Sequence, residues 1–150
     1  MARKMKKIIL ILFAAFFSVS PCSAQNVAEL NAGNKSLSYE ETVRAYEELD
    51  KKFSTAKLFT EGLTDVGRPL HLFVISADKT FDPALAKARN KSVILINNGI
   101  HPGEPDGIDA SVRIAQSYLE GKLPLPENIV ICIIPVYNID GSLRQGCCTR

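Results

Sequence analysis

The sequence predicts an α/β fold in which a mixed, partly parallel sheet is flanked by helices. Three observations carry this expectation. Residues 93–96 and 129–136 are almost continuously apolar, the pattern of strands buried on both faces. Between them, Ile108, Val112, Ala115 and Leu119 recur on one helical face. A strand–helix–strand unit makes its two strands parallel, joined by a right-handed crossover. An earlier strand-like segment, residues 69–76, follows a turn at 64–67 and adds non-parallel candidates to the same sheet.

The first 24 residues stand apart from this domain. Arg3, Lys4, Lys6 and Lys7 precede ten apolar residues, 8–17, and the segment ends in Pro21-Cys22-Ser23-Ala24. This is the pattern of a secretory signal peptide cut after Ala24. Ten apolar residues are too few for a permanent membrane-spanning helix. The chain is therefore expected to be exported, to the periplasm or the outside. A lipoprotein signal through Cys22 would be the other reading, and Pro21 argues against it.

Residues 25–37 are polar and read as a flexible leader. Ser38 and Glu41 then have the spacing of a capping box. Val43, Tyr46, Leu49 and Phe53 follow at helical intervals, so a helix is expected over 39–53. Residues 56–60 suit a short strand. Residues 77–91 read as a mostly polar connection broken at Asp82-Pro83. A buried strand is expected at 92–97, then a polar loop and the helix bearing Ile108, closed by Gly121 and Pro124. A last buried strand, 128–136, stops at the turn Asn138-Ile139-Asp140-Gly141.

Composition limits the possibilities. A length of 150 residues favours one domain. Apolar residues at 46% and charged residues at 23% are ordinary for a globular chain. The signal holds four of the 18 basic residues and none of the 16 acidic ones, so the mature chain carries 14 − 16 = −2. No basic tract remains to suggest nucleic acid as a partner. Cys132 lies inside an apolar run and reads as a small core residue. Cys147 and Cys148 are adjacent, which does not match the ligand spacing of a structural zinc site.

The loop after residues 92–97 carries the chemistry. His101 and Glu104 stand three positions apart in His101-Pro102-Gly103-Glu104-Pro105. Imidazole and carboxylate are zinc ligands in hydrolases that keep a coordination position open for water. The two prolines restrict the loop and Gly103 lets it turn. Taken alone, His101 could be structural, and Glu104 could simply favour a helix N-terminus. No second histidine follows Glu104, so metal sites built from two histidines on one helix are excluded. His71 sits mid-strand between Leu70 and Leu72, on the solvent or edge side, and reads as structural.

Three motifs together resemble a known family. His101-Pro-Gly-Glu104-Pro after an apolar strand looks like the zinc loop of carboxypeptidase A-like zinc carboxypeptidases. Ile134-Pro-Val-Tyr-Asn-Ile-Asp-Gly141 is similar to the family's strand ending in Asn-Pro-Asp-Gly, with Ile139 replacing proline. Gly67-Arg68-Pro69 leads into a strand as it often does in family members. The resemblance covers about residues 38–150. It implies zinc as cofactor, His101 and Glu104 as ligands, and peptides as substrates cleaved at the C-terminal residue. It further implies that Asn138 and Asp140 shape the substrate cleft. Arg150 matches an arginine that polarises the scissile carbonyl, and Arg68 is structural.

The resemblance also implies later residues: a histidine as third ligand, an Asn-Arg pair gripping the substrate carboxylate, and a glutamate base. None has a candidate in this chain. Residues 38–150 are thus expected to be the N-terminal portion of such a domain, an incomplete zinc-peptidase-like α/β unit, inactive by itself. Two other functions are consistent with the motifs. One is a zinc-dependent amidase or deacylase acting on N-acyl amino acids. The other is a non-catalytic exported binding module on a peptidase-like scaffold.

Overall fold

The computed structural model describes residues 35–101 and 103–143. The expected signal peptide, most of the expected leader, Pro102, Cys147, Cys148 and Arg150 lie outside the described residues.

Helix α1 spans Tyr39–Lys52. The expected capping box forms: Glu41 N–H donates to Ser38 Oγ at 3.2 Å, and Ser38 N–H donates to the Glu41 carboxylate at 2.8 Å. The Ser38 backbone N–H, then the Ser38 side chain, holds the Glu41 carboxyl below its ordinary pKa. Strands β1, Ala56–Leu63, and β2, Pro69–Ile75, make an antiparallel hairpin whose register shifts between Thr60 and Gly62. The strand expected to end at residue 60 thus continues past this irregularity.

The connection after β2 contains a short helix, α2, Pro83–Ala88, which the polar composition of 77–91 concealed. Asp82 caps it, its carboxylate accepting from Leu85 N–H at 2.8 Å, and Pro83 occupies the first turn, where a missing N–H costs nothing. Strand β3 is Ser92–Asn97, α3 is Asp106–Leu119, β4 is Ile129–Ile134 and α4 is Ile139–Ser142.

The four strands form one sheet in the order β1-β2-β4-β3. β2 and β4 are antiparallel, while β3 and β4 are parallel in register from Ser92↔Ile129 to Asn97↔Ile134. The sheet is mixed and partly parallel, flanked by helices, as the sequence predicts.

Alternating side chains supply two layers. On one face Phe73, Ile75, Ile131 and Ile133 meet Tyr46 and Leu49 of α1 and Val112 and Ala115 of α3. Tyr46 and Phe73 form the aromatic centre, with ring centroids 4.7 Å apart and planes tilted by 50°. On the other face Val74 and Val130 pack against Ala86 of α2, with the partly buried Cys132 beside them.

Two expectations are corrected. Leu37, assigned to the leader, is only 4% exposed and belongs to the main core; its N–H donates to Asp109 Oδ1 at 3.1 Å. Strand β3 is not buried on both faces: Val93, Ile94 and Leu95 are 57%, 46% and 58% exposed. Its place at the end of the strand order leaves it paired on one side only, with β4, among the described residues.

Candidate metal centre

The candidate site forms where β3 and β4 end side by side. Their carboxyl ends point the same way because the strands are parallel, and open α/β sheets place ligands at such ends. The two loops leaving them are stitched together. Tyr137 N–H donates to Asn98 O at 2.8 Å, and Asn138 N–H donates to Gly99 O at 3.0 Å.

Gly99 has φ +64°, and a Cβ there would lie 3.0 Å from Val136 Cγ1 and 3.2 Å from Ile108 Cδ1. Left-handed backbone and close approach both require glycine. This turn carries the chain out of the sheet just before His101.

His101 and Glu104 come together. Glu104 N–H donates to His101 O at 2.9 Å, closing a turn. The turn brings His101 Nδ1 to 3.9 Å from Glu104 Oε2, with both side chains more than half exposed. A tetrahedral zinc with bonds of about 2.1 Å would space two ligands by about 3.4 Å. The observed separation is within about 0.5 Å of that spacing, and the donor chemistry suits zinc. No group of three or more His, Cys, Asp or Glu able to hold a metal occurs among the described residues.

Asn138 and Asp140 flank this pair rather than join it. Asn138 caps α4, its Oδ1 accepting from Gly141 N–H at 2.9 Å, and its Nδ2 reaches Ile100 O at 3.4 Å. Asp140 accepts from Thr64 Oγ1 at 2.9 Å, tying the turn after β4 to the β1–β2 hairpin. The two residues line a cleft of ≈ 460 Å³ with Ile100, Tyr137, Leu63 and Glu61. The turn chemistry read for residues 138–141 is thus realised, as a capped single helical turn.

His71 faces Thr60 Oγ1 across the hairpin at 3.3 Å, on an exposed position in the strand pair. Arg68 pairs with Glu40 at 3.1 Å on the surface. Arg150 lies outside the described residues.

Sequence reasoning missed a buried polar group beneath the site. Asn98, Ser111 and Tyr46 are buried, and Ser111 hydrogen-bonds to both of the others just before the loop that carries His101. The available signal was Ser111, a hydroxyl on the otherwise apolar face carrying Ile108, Val112 and Ala115.

A family model for zinc carboxypeptidases matches residues 42–145. Carboxypeptidase A from Helicoverpa armigera matches with a TM-score of 0.62 and 27% identity, over 74% of this chain and 26% of that one. Bovine thrombin-activatable fibrinolysis inhibitor, solved with tick carboxypeptidase inhibitor, matches with a TM-score of 0.58 and 21% identity. That match covers 72% of this chain and 33% of that one, and at this identity it shows the fold alone. The chain thus spans between 26% and 33% of the length of these two structures. No curated protein sequence matches the chain.

Proposed function

The chain belongs to the zinc carboxypeptidase family, and from that membership we propose that it supplies the first two zinc ligands of a metallocarboxypeptidase acting on peptides. The observation that carries this reading is the His101–Glu104 pair, 3.9 Å apart on one turn at the carboxyl end of β3. His101 would offer an imidazole nitrogen and Glu104 a carboxylate oxygen. When bound, zinc polarises a water and the substrate carbonyl. Asn138 and Asp140 would border the peptide, since the cleft they line adjoins Ile100, the residue before His101. The family match favours a peptide substrate over an N-acyl amino acid.

Two protein ligands hold zinc weakly, because zinc sites in hydrolases use three. We expect weak binding by this chain, abolished in His101→Ala and in Glu104→Ala and unchanged in His71→Ala. A zinc titration followed at the histidine ring signals decides it. Binding that depends on His71 and ignores His101 would overturn the assignment.

The basic and apolar segment within residues 1–24 supports export, and it accords with an enzyme acting on extracytoplasmic peptides. Exported protein should begin at Gln25 on N-terminal sequencing. A mature protein beginning at Met1, or one lipidated on Cys22, would contradict this. No described helix is long and apolar enough to cross a membrane.

A further inference from the structure

We propose that Tyr46, Ser111 and Asn98 form a positioning device that sets the stance of the metal loop, an inference that rests on the metal-site reading above. The three residues come from α1, α3 and the end of β3, and all are buried, with Tyr46 at 0%, Ser111 at 3% and Asn98 at 6% exposure.

The hydrogen-bond directions are fixed by counting protons. Ser111 has one hydroxyl proton, and Oγ lies 2.9 Å from Ile108 O, which can only accept. Asn98 Nδ2 lies 2.9 Å from the same Oγ and can only donate. Tyr46 OH, 2.9 Å away, therefore donates to the remaining lone pair. The Ser111 hydroxyl is saturated: one bond given, two received. Burial pushes the Tyr46 phenol above its ordinary pKa, so it remains the donor that this arrangement needs.

Asn98 is the output of the chain. Its side chain also donates to Ile134 O at 3.2 Å, and its carbonyl receives Tyr137 N–H. Its side chain is thus held from α3 and β4, while its backbone starts the loop three residues before His101. A buried hydroxyl, phenol and amide have no energetic advantage over apolar residues in a helix-sheet layer unless their directionality matters. Here that directionality ends at the residue that launches the ligand loop. Tyr46 and Ser111 reach the loop through Asn98.

The test compares Tyr46→Phe and Ser111→Ala with Val74→Ala in the 150-residue chain, each at a temperature where it is fully folded. Val74 is buried in the cluster on the opposite sheet face and serves as a purely structural loss. Two readouts are taken: hydrogen exchange at the Tyr137 and Asn138 amides, and zinc affinity from the histidine ring signals. The two network variants should speed exchange at both amides and weaken zinc binding several-fold, less than the roughly 10–100-fold seen when direct partners of metal ligands are removed. Val74→Ala should change neither.

Equal effects from all three variants would reduce the network to ordinary stability and overturn the proposal. Faster exchange with unchanged zinc affinity would overturn it as well. If zinc binding in the parent chain ignores His101→Ala, the metal-site reading fails and the positioning proposal fails with it. The exchange data would still decide, separately, whether the network anchors the loop.

Discussion

At the scale of single residues, one cluster outside the candidate site makes the clearest pH prediction. Asp78 gathers Lys91 Nζ at 2.8 Å, Arg89 at 3.0 Å, Thr80 Oγ1 at 2.7 Å and Ser76 Oγ at 2.8 Å. The Lys91 bond, then that from Thr80, holds its carboxyl far below the usual carboxylate range. A depressed carboxylate pKa stabilises the fold above the unfolded value, about 4. That contribution is lost as pH falls from there toward the native pKa. Asp78→Asn should therefore lower stability at pH 7 and flatten the decline between about pH 5 and pH 2. Denaturant midpoints at several pH values check this, and parallel pH curves for both proteins would contradict it. The meeting of His101 and Glu104 was legible in the sequence because it is local, three positions apart on one turn. The Asn98–Ser111–Tyr46 chain was not, because its two bonds span 13 and 65 residues. No periodicity or motif encodes such a meeting; only the packing of α1 and α3 on the sheet creates it.

At the scale of elements, legibility followed the strength of the local signal. The capping box and helical spacing place α1 within one residue, because the cap satisfies its own orphan donors regardless of the rest of the chain. The parallel β3–β4 pair follows from the intervening helix. Helix α2 escaped because six residues are too few to display a period, although Asp82-Pro83 supplies both cap and first turn. β3 shows what a pattern cannot reveal: an apolar run indicates that a strand is suited to burial, not that anything covers it. The strand carries no charge and no proline, the usual guards of an edge. The lysine next to it, Lys91, is turned inward to Asp78 with its side chain only 6% exposed. We therefore expect the chain to self-associate through β3. Leu95→Lys, on an exposed position of that strand, should raise the soluble monomer fraction, while Lys57→Ala, on the opposite edge, should not. Sedimentation at matched concentrations separates the two, and equal association in all three proteins would rule out β3 as the contact.

At the scale of the whole molecule, the fold and the ligand set meet in one question, whether these residues suffice for hydrolysis. The sheet orients two parallel strand ends, the glycine turn lifts His101 out of the sheet, and the stitched loops fix the neighbouring cleft. Catalysis asks for more: a metal held firmly enough to carry an activated water, a base for its proton and a cation for the substrate carboxylate. The described residues offer one pair of candidate ligands and no group of three His, Cys, Asp or Glu that could hold a metal. As a ligand Glu104 would give electron density to the metal and lose basicity, so a separate carboxylate is needed as base. The 150-residue chain is thus expected to release no amino acids from peptides in the presence of zinc. A longer chain that adds a late histidine and a glutamate on the same family pattern should gain release that a chelator abolishes. Glu104→Ala should abolish it too. Amino-acid release assays on both chains make the comparison. Zinc-dependent turnover by the 150-residue chain, lost in His101→Ala, would mean that two ligands and the groups around them complete a working site.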